Sequence, residues 1–194
     1  MRFVLLSAII FITFFSCVPV QVAPTITMEK DLFFGKMWTV AVLDLNYEFE
    51  GKGTVTMTNY ESAGTDGGRV VANLLASELS TMDNLKIIER SEIAKLLDEQ
   101  ALQQSGVIDP ENAKEIGKMA GADAVILGEL TDYIIWNNLS GYGSTISFSV
   151  RMVELQSSRV IMNAAISRAR PYVDSFANTQ LTTKEIAETI AAKK

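Results

Sequence analysis

The only cysteine of the chain, Cys17, follows Ser16 at the end of the apolar run Phe3 to Phe15, and Arg2 stands ahead of that run. This placement constrains everything after it. With no second cysteine there is no internal disulfide, and the remaining chain has length for a single domain with a hydrophobic core of its own. A charged start, about a dozen apolar residues and a small residue before the break are the parts of a secretory signal. The run is shorter than the ~20 residues that a spanning helix needs. We therefore expect Met1 to Ser16 to be a cleaved leader.

The pair Ser16-Cys17 resembles the bacterial lipobox, in which the cysteine thiol is joined to diacylglycerol and becomes the first mature residue. Phe14 stands where Leu is usual. Ordinary cleavage further on, or retention of the run as an anchor, are the alternatives. Two prolines within Val18 to Thr25 suit a short extended tether. The expected division is a leader over 1–16, a lipidated cysteine and tether over 17–36, and one α/β domain over 37–194.

Removing the leader takes away one of 17 basic residues and none of 23 acidic ones. Such an acidic chain, with its positive charges scattered, is repelled by a polyanion, which argues against nucleic acid as a partner. The chain has no histidine. That removes the commonest general base and metal ligand, and with them zinc sites and Ser-His or Cys-His catalysis. Only carboxylates, Lys, Tyr, Ser and Thr remain as catalysts, and no cofactor is implied. The composition points to a binding or assembly protein.

Met37 to Leu45 is nearly continuous in apolar character and reads as a central strand covered on both faces. Asn46 to Thr65 is either a small hairpin about Gly51 to Gly53 or an excursion without structure. From Asp66 the period changes to helix, with Val70, Val71, Leu74, Leu75 and Leu79 on one stripe. Leu85 to Glu89 reads as a short strand. Ser91 can cap a helix with Ile93, Leu96, Leu97 and Ala101 on its stripe. Asp109-Pro110-Glu111 opens another helix, which Gly121 can close.

Ala124 to Leu130 is a buried strand. After it, Ile146, Phe148, Val150 and Met152 alternate with Ser147, Ser149 and Arg151, so one face goes inward and the other meets water. Gln156 to Ser158 turns the chain into a strand with Val160, Met162, Ala164 and Ile166, giving a carboxy-terminal antiparallel hairpin. A last helix over about 182–192 carries Ile186, Ala187 and Ile190 on one side. The sum is an α/β (α+β) fold, a mixed sheet of about five strands with helices packed on it.

Several of these stretches together resemble the CsgG/HfaB-like lipoproteins, whose fold is related to the amino-terminal domain of TolB and to the LpoB-type activators of penicillin-binding proteins. The carrying residues are "VAVLDL" from Val40, the helix after Gly68, Ile87 to Asp109 with Glu89, Arg90, Glu99 and Gln100, Ala113 to Leu130 with Gly117 and Gly128, and "FSVRMVEL" from Phe148. The resemblance implies an outer-membrane lipoprotein with its domain in the periplasm, anchored through Cys17. It also implies an envelope protein partner, self-association into a homo-oligomer, and work in surface-structure assembly or peptidoglycan-synthase activation.

Curli-type channels of this family thread subunits through a barrel to which each protomer gives two long membrane hairpins. The interval from Gly128 to Val150 reads as short, polar and turn-rich, with little room for arms of roughly 9–11 residues. A channel subunit is therefore the alternative reading. A cell-wall enzyme is the second alternative.

Other groups carry weaker chemistry. Glu89 and Arg90, at a strand-to-helix junction, read as an ion pair or cap contact. Gly64 to Arg69 precedes a helix amino terminus that can receive an anion, but lacks a nucleotide loop's Gly-Lys-Ser/Thr ending, and its glycines also suit a flexible entry. The odd spacing of Glu129 and Asp132 puts them on opposite faces of a strand, which disfavours a glycosidase pair. Trp136 and Tyr142, with the glycines near them, suggest an exposed aromatic tip for a partner.

Overall fold

The computed structural model describes residues 22–48, 51–55, 57–89, 91–93, 95 and 110–194. In chain order the elements are β1 (Thr25–Met28), α1 (Lys30–Phe34), β2 (Trp38–Val42), β3 (Lys52–Val55), β4 (Thr58–Ser62), α2 (Gly67–Leu79), β5 (Leu85–Ile87), α3 (Pro110–Met119), β6 (Ala124–Asn138), β7 (Gly141–Glu154), β8 (Val160–Pro171) and α4 (Ser175–Ala191). One mixed eight-stranded sheet runs β1-β8-β7-β6-β2-β5, and β4, carrying β3 on its outer edge, also pairs with β6. The fold class read from the sequence holds; the sheet has more than the five strands expected.

Strand β2 explains the parallel centre. It pairs parallel with both β5 and β6, and its Val40, Ala41 and Val42 are wholly buried. Alternate residues serve two cores. Trp38, Val40 and Val42 join Leu75 of α2 and Ile186 and Ile190 of α4 on one face. Ala41 and Leu43 join Ala113 and Ile116 of α3, with Ile93, on the other. Helix α3 begins at Pro110 and ends as expected: Gly121 has φ +70°, and the Gly121 and Ala122 amides donate to the Lys118 and Gly117 carbonyls. That is the closure a left-handed residue provides after a helix.

The interval 128–150 differs from expectation. It is no polar turn region: β6 and β7 are one antiparallel ladder from Ala124↔Glu154 to Asn138↔Gly141, turning at Leu139 and Ser140. The cause is a bulge at Thr131, where the register steps from Leu130↔Phe148 to Asp132↔Ser147. One extra residue shifts the phase of the alternation, so the strand no longer reads as continuous. Strand β6 is long enough to pair with β2 along its first part and with β4 along its last.

Of the two readings left open for 46–65, the structure shows a hairpin, but it turns at Met57, which has φ +64°, and Gly51 to Gly53 lead into it. Chain within the stretch read as a tether is also structured, because β1 pairs with β8 and Phe33 of α1 is fully buried. Helix α4 starts at Ser175 rather than near Thr182. Its Asp174 cap accepts from the Ala177 amide at 2.8 Å, and its first turns bury Asn178, Thr179, Thr182 and Thr183. Buried polar residues hide a helix from hydropathy. Of the stripe read for α2, Val71, Leu75 and Leu79 are buried and Val70 and Leu74 only half so. Leu96, Leu97 and Ala101 lie outside the described residues.

Candidate functional site

The pairing of Asn59 with Asn137, and of Gly143 with Pro171, brings the β3–β4 tip, the β6–β7 tip and the start of α4 to one end of the sheet. This end holds a cleft of about 600 Å³. Asn59, Glu61, Ile135, Asn137, Tyr142 and Asp174 line it. Alternation along the strands places these strand residues on the face that α4 covers further in. The cleft therefore opens where that helix stops.

Trp136 and Tyr142 are both at this tip but on opposite faces, because Trp136 pairs with Gly143 and Tyr142 with Asn137. The Trp136 ring lies over Gly143, where an added Cβ would meet it at 2.4 Å, and Tyr60 lies over Gly53 in the same way. Flat rings over glycines in one cross-strand row cover backbone that a small residue leaves bare. Tyr142 instead meets Tyr172 edge-on at 5.7 Å, and the Tyr172 hydroxyl donates to the Ser140 carbonyl at 2.6 Å. Deeper in, burial raises the Tyr133 hydroxyl above its ordinary pKa of 10.0, against a lowering hydrogen bond with Ser175.

A polar group that sequence reading missed fastens this end. Arg168 on β8 is 2% exposed, yet it is charged. Its Nε donates to Glu185 Oε2 at 2.8 Å, a second bond joins Nη2 to Oε1, and Nη1 donates to the Val22 carbonyl at 2.6 Å. Arg170 adds bonds to Asn178 at 2.6 Å, Thr182 at 2.9 Å and Glu185 at 3.2 Å. Asn178 in turn donates to the Ser144 and Arg168 carbonyls. A fork of donors on a carboxylate is the geometry in which a guanidinium tolerates burial. The usable signal was the i, i+2 pair of arginines on a strand that otherwise alternates.

The remaining predicted residues divide. Glu89 is exposed, and its carbonyl accepts from the Glu92 and Ile93 amides, so its backbone starts the following helix. Arg90, Glu99, Gln100 and Cys17 lie outside the described residues. Gly117 lets α3 approach the sheet, since a Cβ there would stand 2.4 Å from Val125, and at Gly128 it would stand 2.0 Å from the Ser149 carbonyl oxygen. The glycines before α2 serve packing too: a Cβ on Gly68 would meet the Leu45 carbonyl at 1.9 Å. They are not a flexible entry, and Arg69 is paired with Asp66 at 3.1 Å.

Glu129 and Asp132 are not on opposite faces. They pair with Ser149 and Ser147, two residues apart on β7, so the bulge puts both carboxylates on the face that α4 leaves uncovered. Glu129 lines a shallow cleft with Asp44, Asn46 and Arg151 to which Asp132 does not contribute. Among the described residues there is no cluster of three or more metal-binding side chains, and no helix is long and apolar enough to cross a membrane.

Residues 35–168 match the model of a family described as "Curli production assembly/transport component CsgG". No curated protein sequence matches the chain. Among solved structures it is similar to the PelC dodecamer from Paraburkholderia phytofirmans, at 12% identity and a TM-score of 0.56, over 84% of this chain and 94% of that one. It is also similar to lipoprotein GNA1162 from Neisseria meningitidis, at 14% identity and a TM-score of 0.58, over 80% of this chain and 96% of that one. At such identities the likeness is one of fold.

Proposed function

We propose, because the chain belongs to the CsgG family, that it is a non-catalytic envelope lipoprotein, anchored in the outer membrane through Cys17 with its domain in the periplasm. It acts there as a protein-interaction module in the assembly of the envelope or a surface structure. The observation that carries this reading is how the sheet's apolar side chains are used. Ile146, Phe148, Val150 and Met152 of β7 and Met162, Ala164 and Ile166 of β8 are all buried in one core with α2 and α4. Strands that spend their apolar face on their own helices have none left for the lipid around a barrel. The dodecameric state of PelC supports self-association.

The channel reading draws on the word "transport" in the family description. The arms of the β6–β7 hairpin, 15 and 14 residues, would be long enough to cross a membrane. Against it, β6 and β7 are both paired on two sides, by β2, β4 and β8.

Feeding cells a fatty-acid analogue and purifying the protein from crosslinked envelopes tests anchor and partner together. Wild-type protein is expected to carry the label and a reproducible crosslinked species, and Cys17→Ser to lose the label. Equal labelling of the two forms defeats the anchor assignment. A labelled protein that crosslinks to nothing defeats the interaction role.

A further inference from the structure

We propose that the end of the sheet formed by the β3–β4 and β6–β7 tips rests on the membrane surface that holds the lipid, its uncharged side chains seated among the headgroups. The inference rests on lipidation at Cys17 and adds the orientation of the domain.

Chain direction comes first. Strand β1 is antiparallel to β8, with Thr25 beside Ala165. Reading back from Thr25, the chain runs the way β8 runs, toward Pro171 and the two tips. The bond from Arg168 Nη1 to the Val22 carbonyl fixes that course three residues before Thr25. Cys17 is five residues further back, a reach of at most about 18 Å. Arg168 to Pro171 spans only about 10 Å of β8. A lipid on Cys17 is therefore within reach of the plane of the tips, and the short connection keeps the domain close to it.

The second observation is the surface at that end. Met57 in the β3–β4 turn is 74% exposed and Leu139 in the β6–β7 turn 92%. The register Asn59↔Asn137 sets these two turns side by side. Tyr172 at 64% and Tyr142 at 57% stand beside them. Apolar turn residues flanked by tyrosines are costly in water and suit the boundary between headgroups and acyl chains.

Charge is the third. No Asp, Glu, Lys or Arg occurs from Tyr133 to Val150 or from Gly53 to Tyr60, although 21% of the chain is charged. Asn, Ser, Thr and Gly fill these stretches. Within these limits both tips are free of charge, with Lys52, Glu61 and Asp174 standing behind them along the cleft, and both point where the anchor must lie.

The test uses full-length lipidated protein in vesicles of phosphatidylethanolamine and phosphatidylglycerol containing a lipid-borne quencher. A fluorophore is placed at Leu139→Cys, at Met57→Cys in a second variant, and at Gln156→Cys in the opposite turn as a control. The thioether to diacylglycerol blocks the Cys17 thiol, so each variant takes one label. The expected result is loss of most emission at positions 57 and 139 and none at 156. Protein that floats with the vesicles while 57 and 139 stay as bright as 156 overturns the orientation and leaves the anchor standing. Protein that takes label at Cys17 and does not float overturns both.

Discussion

Glu185→Ala should cost about 3 kcal/mol of folding stability, a large effect for a residue that is itself a third exposed. The reason is its partner. Arg168 has no route to water, and without Glu185 its charge keeps only the Val22 and Ser167 carbonyls. Removing one member of a buried pair leaves the other uncompensated, which costs more than the pair contributes as a whole. Urea unfolding should show the midpoint fall, with Glu185→Gln intermediate because an amide oxygen still accepts from the guanidinium. The pH dependence follows from the same contacts. Hydrogen bonding from Arg168, opposed by burial and assisted by the charges of Arg168 and Arg170, holds the Glu185 carboxyl below its ordinary 4.5. A depressed folded pKa means stabilisation that is complete above the unfolded value and lost as pH falls through the folded one. Wild-type protein should therefore lose this contribution below about pH 4.5, and Glu185→Ala should not. An unchanged urea midpoint would remove the latch from the account.

Leu75→Asp should be the most damaging single substitution in α2, at about 4 kcal/mol or more. Leu75 is wholly buried in the core shared by α2, α4 and the sheet, where no cation faces it within that apolar cluster. Leu74→Asp, one position round on a half-buried site, should cost about 1 kcal/mol. The contrast tests the helix phase rather than its existence. Near-normal thermal melting of Leu75→Asp, or equal damage from both, would mean that another face of α2 meets the sheet.

How far the residues announced this structure depends on what each stretch buries. Strand β2 and the β7–β8 hairpin were legible because their side chains follow period two, or are apolar throughout, against a covered face. Helix α3 was legible from its punctuation, Pro110 ahead and Gly121 behind. The outer half of the β6–β7 ladder was not, because the bulge at Thr131 breaks the phase, and beyond it Tyr133 to Trp136 run together without alternation before a turn rich in Asn and Gly. The same bulge reverses the relation of Glu129 to Asp132, which spacing alone cannot reveal. The first half of α4 escaped notice because Asn178, Thr179, Thr182 and Thr183 face inward, satisfied by Ser144, Arg170 and backbone carbonyls. At the candidate site, Trp136 and Tyr142 stand at the same end of the β6–β7 ladder. Their opposite faces depend on a register that only pairing defines.

The central claim is that the sheet serves a folded interaction domain at the membrane rather than the wall of a pore. Planar-bilayer recording of the full-length lipidated protein tests it most directly. The account predicts a bilayer that stays electrically silent while floated vesicles carry the protein, since the apolar faces of β6, β7 and β8 are occupied by α2 and α4. Reproducible, stable, large-conductance steps would contradict it and would mean that those strands leave their helices to line a channel.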